Sequence, residues 1–378
     1  MTISGNSAVA GRSGRHSHAV HIAAGAGTRP TTRPKVLLVG DLVAMISPGG
    51  GEVQLHETAR ALRGDDVDAR LWRPWEDRFE HVDAVHLFGS TPNTAAIALA
   101  AREAGKPVVL SPITWFDSRA MWREAAPWPK RCERMIRWWL RRSVGHRGSW
   151  RRRLYHSADV LLPNSMAEAS QLARLFQVPW ERIHVVPNAA DARFANADPQ
   201  PFVDRYGVSD FVLYAGRIEP RKNQATFLRA MAGEDVPIVV LGDAAAAHAA
   251  YYDECRRVAG ENVTFVDRLE HDDPLLESAY AAARCLALCS WFETPGLVAL
   301  EAALSGTPLV LGRRGSASEY FGPMATYVDP EDESEIRRAV LSAHEQEPSA
   351  ALAELVRTQF SWQATAQATR KVYDEILG

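Results

Sequence analysis

Short apolar runs that stop at a glycine, each followed by a stretch of helical spacing, recur from Lys35 onward and leave few folds open. Lys35-Val36-Leu37-Leu38-Val39 ends at Gly40, and Phe211-Val212-Leu213-Tyr214-Ala215 ends at Gly216. A strand covered on one face alternates apolar and polar residues; near-continuous apolar runs need cover on both faces. Ala69–Trp72, Ala84–Phe88, Pro107–Leu110, Val160–Leu162 and Ile183–Val186 read as further strands of a first half, with helices over Glu52–Arg63, Ala95–Ala104 and Met166–Phe176. A second half repeats the logic with Pro237–Leu241, Val263–Val266, Cys285–Cys289, Leu309–Leu311 and Thr326–Val328, and with helices from Lys222 and from Pro295 to a stop at Gly306. Such alternation predicts an α/β protein of two Rossmann-like, doubly wound domains facing across a cleft, with ligands beyond the carboxyl ends of the strands.

The Ala-, Asn-, Asp- and Pro-rich stretch Asp191–Pro201 reads as the linker, which puts the first domain at 35–200 and the second at 201–359. Residues 1–34 contain no acid and are rich in Gly, Ser, Thr, Ala, Arg and His, so a disordered tail is expected there. A net charge of −3 argues against a general nucleic-acid binder. Four cysteines are too few for a disulfide framework, and Cys285 and Cys289 fall on one face of a strand as small buried hydrophobes. With no His or Cys partner to complete a metal set, a reducing, cytoplasmic compartment is expected. No run of 18 apolar residues suggests a membrane-spanning helix.

Four motifs carry candidate chemistry. The stretch Trp291-Phe292-Glu293-Thr294-Pro295-Gly296-Leu297 runs from a strand into a helix, and the first N–H groups of that helix attract anions. Glu293 and Glu301 lie eight residues apart, about 12 Å along a regular helix. A glycosidase pair needs about 5 to 9.5 Å across one bond. The two carboxylates therefore suit the ends of an elongated ligand with an anionic middle, such as a nucleotide-sugar. The turn Gly216-Arg217-Ile218-Glu219-Pro220-Arg221-Lys222-Asn223 offers Arg217 as a planar fork and Lys222 as a point charge for a diphosphate. Gly49-Gly50-Gly51 lets backbone approach a ligand at a helix start, although it is not the dinucleotide fingerprint of a Rossmann dehydrogenase. Asp66-Val67-Asp68 just past a helix stop reads as a turn, and no metal is expected.

Taken in order, Gly216–Asn223, the Glu293–Glu301 pair, the Gly-rich first loop, Asn164-Ser165 and Val186-Pro187-Asn188-Ala189-Ala190-Asp191 resemble the family 4 glycosyltransferases of the GT-B fold. The resemblance runs from Lys35 to the C-terminus. It implies sugar transfer from a nucleotide-diphospho-sugar to a glycan or lipid-linked acceptor, with retention of anomeric configuration and no metal or other cofactor. Arg217, Lys222 and Glu293 would be catalytic, with the two cations on the diphosphate. Gly50, Gly51, Arg268, Leu269, Thr294, Pro295, Gly296, Leu297 and Glu301 would bind the donor, Glu301 at the ribose and the backbone near Arg268 and Leu269 at the base. The first domain would face the acceptor and the second the nucleotide-sugar, and residues 360–378 would form a helix crossing back to the first. One departure stands out. Family members often carry a His after the strand matching Val108–Leu110, where this chain reads Ser111-Pro112-Ile113-Thr114-Trp115. That departure motivates the alternative of a non-catalytic, membrane-associated scaffold that binds nucleotide-sugar. A two-domain epimerase of the same fold fits the motifs less well.

Residues 119–153 form a basic insert, with twelve Lys or Arg against two Glu and five interleaved Trp. In Met135-Ile136-Arg137-Trp138-Trp139-Leu140-Arg141-Arg142 the apolar residues suit an interface and the arginines anionic headgroups. Peripheral contact with the inner membrane face is the corresponding expectation.

Overall fold

Strand β1 (Lys35–Val39) is buried from Val36 onward and pairs in parallel on both edges, with β2 (Asp68–Leu71) and β3 (Ala84–Phe88). The computed structural model of the protein describes residues 33–41, 49–118, 128–143, 146, 148–294 and 296–378. The tail expected over 1–34 lies outside the described residues up to Thr32, as do Ser47, Pro48, Pro295 and residues 119–127, 144, 145 and 147 of the insert.

β4 (Val108–Ser111) and β5 (Val160–Leu161) complete a five-stranded parallel sheet in the order β2-β1-β3-β4-β5. Its connections carry α1 (Gly50–Gly64), α2 (Pro92–Glu103), α3 (Trp128–Ser143) and α4 (Trp150–Ser157), and α5 (Met166–Phe176) follows β5. After α6 (Gln200–Tyr206), a second parallel sheet follows in the order β11-β10-β9-β6-β7-β8, built from β6 (Phe211–Ala215), β7 (Ile238–Leu241), β8 (Val263–Val266), β9 (Ala283–Leu288), β10 (Leu309–Gly312) and β11 (Thr326–Val328). Its helices are α7 (Gln224–Ala230), α8 (Ala249–Val258), α9 (Pro274–Ala282), α10 (Leu297–Leu304), α11 (Ala317–Phe321), α12 (Glu333–His344) and α13 (Ala350–Gln359). Both sheets are doubly wound, as the apolar runs require, and residues 33–378 form one compact unit.

Three local expectations shift. Ile183–Val186 runs beside β5 but pairs as a bridge only at Ile183 with Leu161. Pro163 and Pro187 lack the N–H groups that would extend the ladder. The helix expected from Lys222 begins at Gln224, because Pro220–Lys222 form a separate tight turn and Asn223 adopts φ +64°. That conformation aims the Asn223 amide at the carbonyls of Cys289 (3.0 Å) and Pro330 (2.8 Å). The helix expected from Pro295 begins at Leu297, with Gly296 as its N-cap.

The last helix, α14 (Trp362–Leu377), packs on the first sheet. Ala366, Val372 and Tyr373 join Val36, Leu38, Leu55 and Leu62 in one core cluster. The Tyr373 hydroxyl lies 2.6 Å from Nδ1 of His86, whose Nε2 lies 3.0 Å from Ser111 Oγ. Burial pushes the His86 imidazole down to about 3, so this contact is neutral. The two chain segments that join the lobes run side by side: Ala190 bridges Ser361, and the Ala190 N–H donates to the Phe360 carbonyl.

At the carboxyl ends of β6 and β7 the backbone leaves no room for side chains. Gly242 adopts φ +143°, and a Cβ there would fall 2.2 Å from the Gly216 carbonyl oxygen. Gly242→Ala must therefore push the two strand ends apart, at a cost of about 2 to 4 kcal/mol. Chemical denaturation of that variant checks this, and an unchanged midpoint would contradict the close approach.

Candidate active site

The ends of both sheets open on a cleft of about 550 Å³. Gly50 and Gly51, at the start of α1, form one wall, and Gly296 and Leu297, at the start of α10, form the facing one. A Cβ on Gly50 would sit 3.8 Å from Leu297 Cδ1, and one on Gly49 would sit 3.4 Å from the Arg217 Cζ. Two helix N-termini and one guanidinium thus converge where glycine keeps the backbone bare. Each N-terminus presents unpaired N–H donors and a partial positive charge, so an anionic group is best held between them.

Lys222 and Glu293 form the second part of the site. Lys222 Nζ lies 2.7 Å from Glu293 Oε1, with both residues buried. Arg221 Nη1 is 3.9 Å from the other carboxylate oxygen and binds Glu219 through two donors, at 2.6 and 3.0 Å. Burial alone would raise the Glu293 carboxyl, but Lys222 and Arg221 outweigh it and hold it below the usual carboxylate range. Burial lowers the Lys222 ammonium, and Glu293 pulls against that shift. The pair is an ionised clamp between the turn after β6 and the loop after β9. The backbone of that loop is held by Gly315, where a Cβ would come within 2.2 Å of the Glu293 carbonyl oxygen.

The far end of the cleft is built differently. The Tyr280 hydroxyl donates to Glu301 Oε2 at 2.8 Å, and His271 Nδ1 lies 3.8 Å from Oε1. Burial pushes the Glu301 carboxyl up to about 7 and the His271 imidazole below its ordinary value. Arg268 and Leu269 line the wall beside them, with the Arg268 N–H donating to Asp243 Oδ1 at 3.0 Å.

On the first-lobe side, Ile113 adopts φ +45°, a strained conformation for a β-branched residue. Two side chains of α5 hold the backbone that follows it. Glu168 Oε1 accepts from the Thr114 N–H at 2.7 Å, and Gln171 Oε1 from the Phe116 N–H at 2.8 Å. The strained loop presents Thr114 and Trp115 to the cleft, and Trp115 stacks on Phe292 of the opposite lobe, ring centroids 6.4 Å apart.

Arg217, Lys222, Glu293, Gly50, Gly51, Arg268, Leu269, Thr294, Gly296, Leu297 and Glu301 all line this one cleft; Pro295 lies outside the described residues. Sequence reasoning missed Arg221, Tyr280, His271 and Arg151. Tyr280 and His271 carry no motif, and only the fold brings them to Glu301. Arg151 was counted in the basic insert, yet it lines the cleft. Among the described residues no cluster of His, Cys, Asp or Glu is arranged to hold a metal ion.

The family described as Glycosyltransferase Family 4 matches residues 67–194, and that described as Glycosyl transferases group 1 matches residues 202–357, one on each lobe. The chain belongs to the family 4, group 1 glycosyltransferases. Among curated family members, it is 30% identical over 245 residues to D-inositol 3-phosphate glycosyltransferase 2 of Catenulispora acidiphila, covering 58% of this chain and 57% of that one. It is 30% identical over 235 residues to the D-inositol 3-phosphate glycosyltransferase of Mycolicibacterium smegmatis, covering 58% and 54%. The match thus spans little more than half the length of these relatives. Among solved structures, sucrose-phosphate synthase from Thermosynechococcus elongatus superposes with a TM-score of 0.72 at 17% identity, over 91% of this chain and 99% of that one. Anabaena HepE in complex with UDP and glucose gives 0.66 at 18% identity, over 91% and 100%. These likenesses establish the GT-B fold of this family 4 chain.

Two outcomes follow from the charges alone. Lys222→Met leaves the Glu293 carboxylate buried with only the more distant Arg221, and lowers stability by about 3 kcal/mol near neutral pH. The deficit shrinks in acid as Glu293 protonates, and denaturation at two pH values checks both points. Glu301 has the opposite sign. Its folded value, about 7, lies above the usual 4.5, so its burial costs stability increasingly as pH rises from about 4.5 to 7. Glu301→Gln therefore gains on the native protein by about 2 to 3 kcal/mol above pH 7 and loses that advantage below about pH 4.5. Parallel melting curves across this range provide the measurement.

Proposed function

We propose that this family 4 protein moves a sugar from a nucleotide-diphospho-sugar to an acceptor hydroxyl with retention of configuration and without a metal. The observation that carries the reading is the convergence of Arg217, Lys222 and two helix N-termini on one point of the cleft, with a carboxylate on either side. The diphosphate takes that point, held by Arg217, Lys222 and the N–H groups of Gly50, Gly51, Gly296 and Leu297. Glu301 accepts from the ribose hydroxyls, backbone at Arg268 and Leu269 meets the base, and Glu293 faces the sugar. A fold neighbour solved with UDP and glucose supports the class of donor.

The chemistry follows from where charge develops. As the bond from the anomeric carbon to the phosphate oxygen breaks, its electron pair stays on the diphosphate and positive charge spreads over the sugar ring. The fixed donors bind that growing negative charge better than they bind the ground state. Lys222 and Arg217 fill the role a divalent cation would play, so the reading needs no metal. The acceptor oxygen attacks from the face the diphosphate leaves, and its proton passes to a phosphate oxygen.

The acceptor reading rests on the opposite wall. Among the described residues lining the first-lobe side, Arg151 is the single charged one. Its guanidinium is fixed over the rings of Trp150 (4.3 Å) and Phe116 (5.8 Å). The curated relatives are named for a phosphorylated acceptor. An acceptor bearing phosphate, on a glycan or as a lipid-linked glycan, satisfies both facts.

Incubation with a panel of nucleotide-sugars, read by nucleotide release, tests the proposal. Slow hydrolysis of one donor is expected, unaffected by a chelator and reduced about 10- to 100-fold by Lys222→Ala, the loss of one charge-assisted contact of about 1.5 to 3 kcal/mol. Anomeric NMR of the product should show retention. Binding without turnover of any donor would favour the scaffold alternative, and inversion would remove front-side attack.

A further inference from the structure

The basic insert plays no part in the donor site, yet its described helix α3 has an unusual surface. Trp128, Ile136, Trp139 and Leu140 fall within roughly 120° of arc at 100° per residue. Four large apolar side chains on one stripe are 70%, 60%, 63% and 54% exposed, respectively. On one side of the stripe exposed Glu133, Arg137 and Lys130 follow in turn, with Glu133 paired to Arg137. Arg131 and Arg134 lie half-buried toward the body of the protein. A tryptophan has an apolar body and a polar N–H edge, which suits it to the boundary between headgroups and acyl chains. Flanking cations suit the anionic headgroups at the same depth.

We propose that α3 is an interfacial anchor that lays its Trp128–Leu140 stripe into an anionic lipid bilayer. At sixteen residues α3 is too short and too charged to cross one, and no helix of the described residues is long and apolar enough to do so. The anchor deepens the acceptor reading and rests on it for that part only. The inner side of α3 places Trp138 in a small hollow shared with Phe116 and Asp117, one and two residues from the cleft-lining Trp115. Seating the stripe in a bilayer therefore brings the acceptor end of the cleft close to the membrane surface, where a lipid-linked phosphate acceptor would lie. Charge complementarity selects the occupant. A second copy of this chain, with its net charge of −3, offers neither the apolar depth nor the density of negative charge that a phospholipid surface does.

Flotation of the full chain with vesicles of equal parts phosphatidylglycerol and phosphatidylcholine tests the anchor. At low salt the protein should float with these vesicles at least ~10-fold more than with phosphatidylcholine alone, and high salt should reduce the difference. Ile136→Glu/Trp139→Glu should remain at the bottom while keeping the native melting temperature and donor hydrolysis. Lys130→Glu/Arg137→Glu should weaken flotation without altering either. A protein that stays at the bottom at low salt, floats equally with neutral vesicles, or floats unchanged with both variants overturns the anchor. So does concentration-dependent dimerisation that the Glu variants abolish in the absence of flotation, which would assign the stripe to self-association. Loss of donor hydrolysis in the native protein would remove the transfer reading and leave the anchor standing, so the two fail separately.

Discussion

A buried ammonium–carboxylate contact, Lys222 to Glu293, holds together the two loops from which the rest of the site is built. It does not act alone. The Tyr214 hydroxyl donates to the Lys222 carbonyl, the Trp291 N–H donates to the Arg221 carbonyl at 3.0 Å, and Asn223 reaches across to Cys289. These contacts fix the turn after β6 against the loop after β9, so that Arg217 and the start of α10 face the same space. Ion pairs this deep recover their desolvation cost only when every partner is in place. The clamp therefore works as a positioning device first and as a source of stability second.

Between the lobes, the contacts are of a different kind. Glu319 of α11 accepts from the Met166 and Ala167 N–H groups, each at 2.7 Å, and so caps the first turn of α5 from the other lobe. Tyr320 donates to the Asn164 carbonyl at 2.5 Å and accepts from the Asn188 N–H at 3.0 Å. Trp115 and Phe292 meet at the mouth of the cleft, and Arg60 of α1 pairs with Asp191 of the linking segment at 2.6 Å. Polar and aromatic contacts of this sort exchange with water at modest cost, whereas each lobe's own core does not. The cleft thus sits between two separately cored lobes joined by replaceable contacts.

Much of this was legible in the sequence because strands buried on both faces leave near-continuous apolar runs. The runs at Lys35, Phe211 and Cys285 mark inner strands of both sheets, and Gly216 at the end of the second lines the cleft, whereas Gly40 at the end of the first makes room for Leu55 of α1. Ile183–Val186 misled because it lies beside β5 and donates to the Leu161 and Pro163 carbonyls, while Pro163 has no N–H to return a bond and the ladder stays a single bridge. Glu293 and Glu301 were recognisable as site residues, but their different states were not. One owes its low value to Lys222 and the other its high value to burial beside Tyr280, and those neighbours are distant in sequence. Ile113 gave no signal at all, since its left-handed backbone leads into Thr114 and Phe116 N–H groups held by Glu168 and Gln171, partners distant in sequence.

The placement of α14 has a consequence for how the molecule is made. Tyr373 and Val372 plug the face of a sheet whose first strand begins at Lys35, so more than three hundred residues separate the two sides of one core. A ribosome delivers the strands well before the helix that covers them. Until that helix emerges the earlier lobe carries a bare apolar patch and an imidazole still waiting for its phenol, so its core closes only after the second lobe has been made.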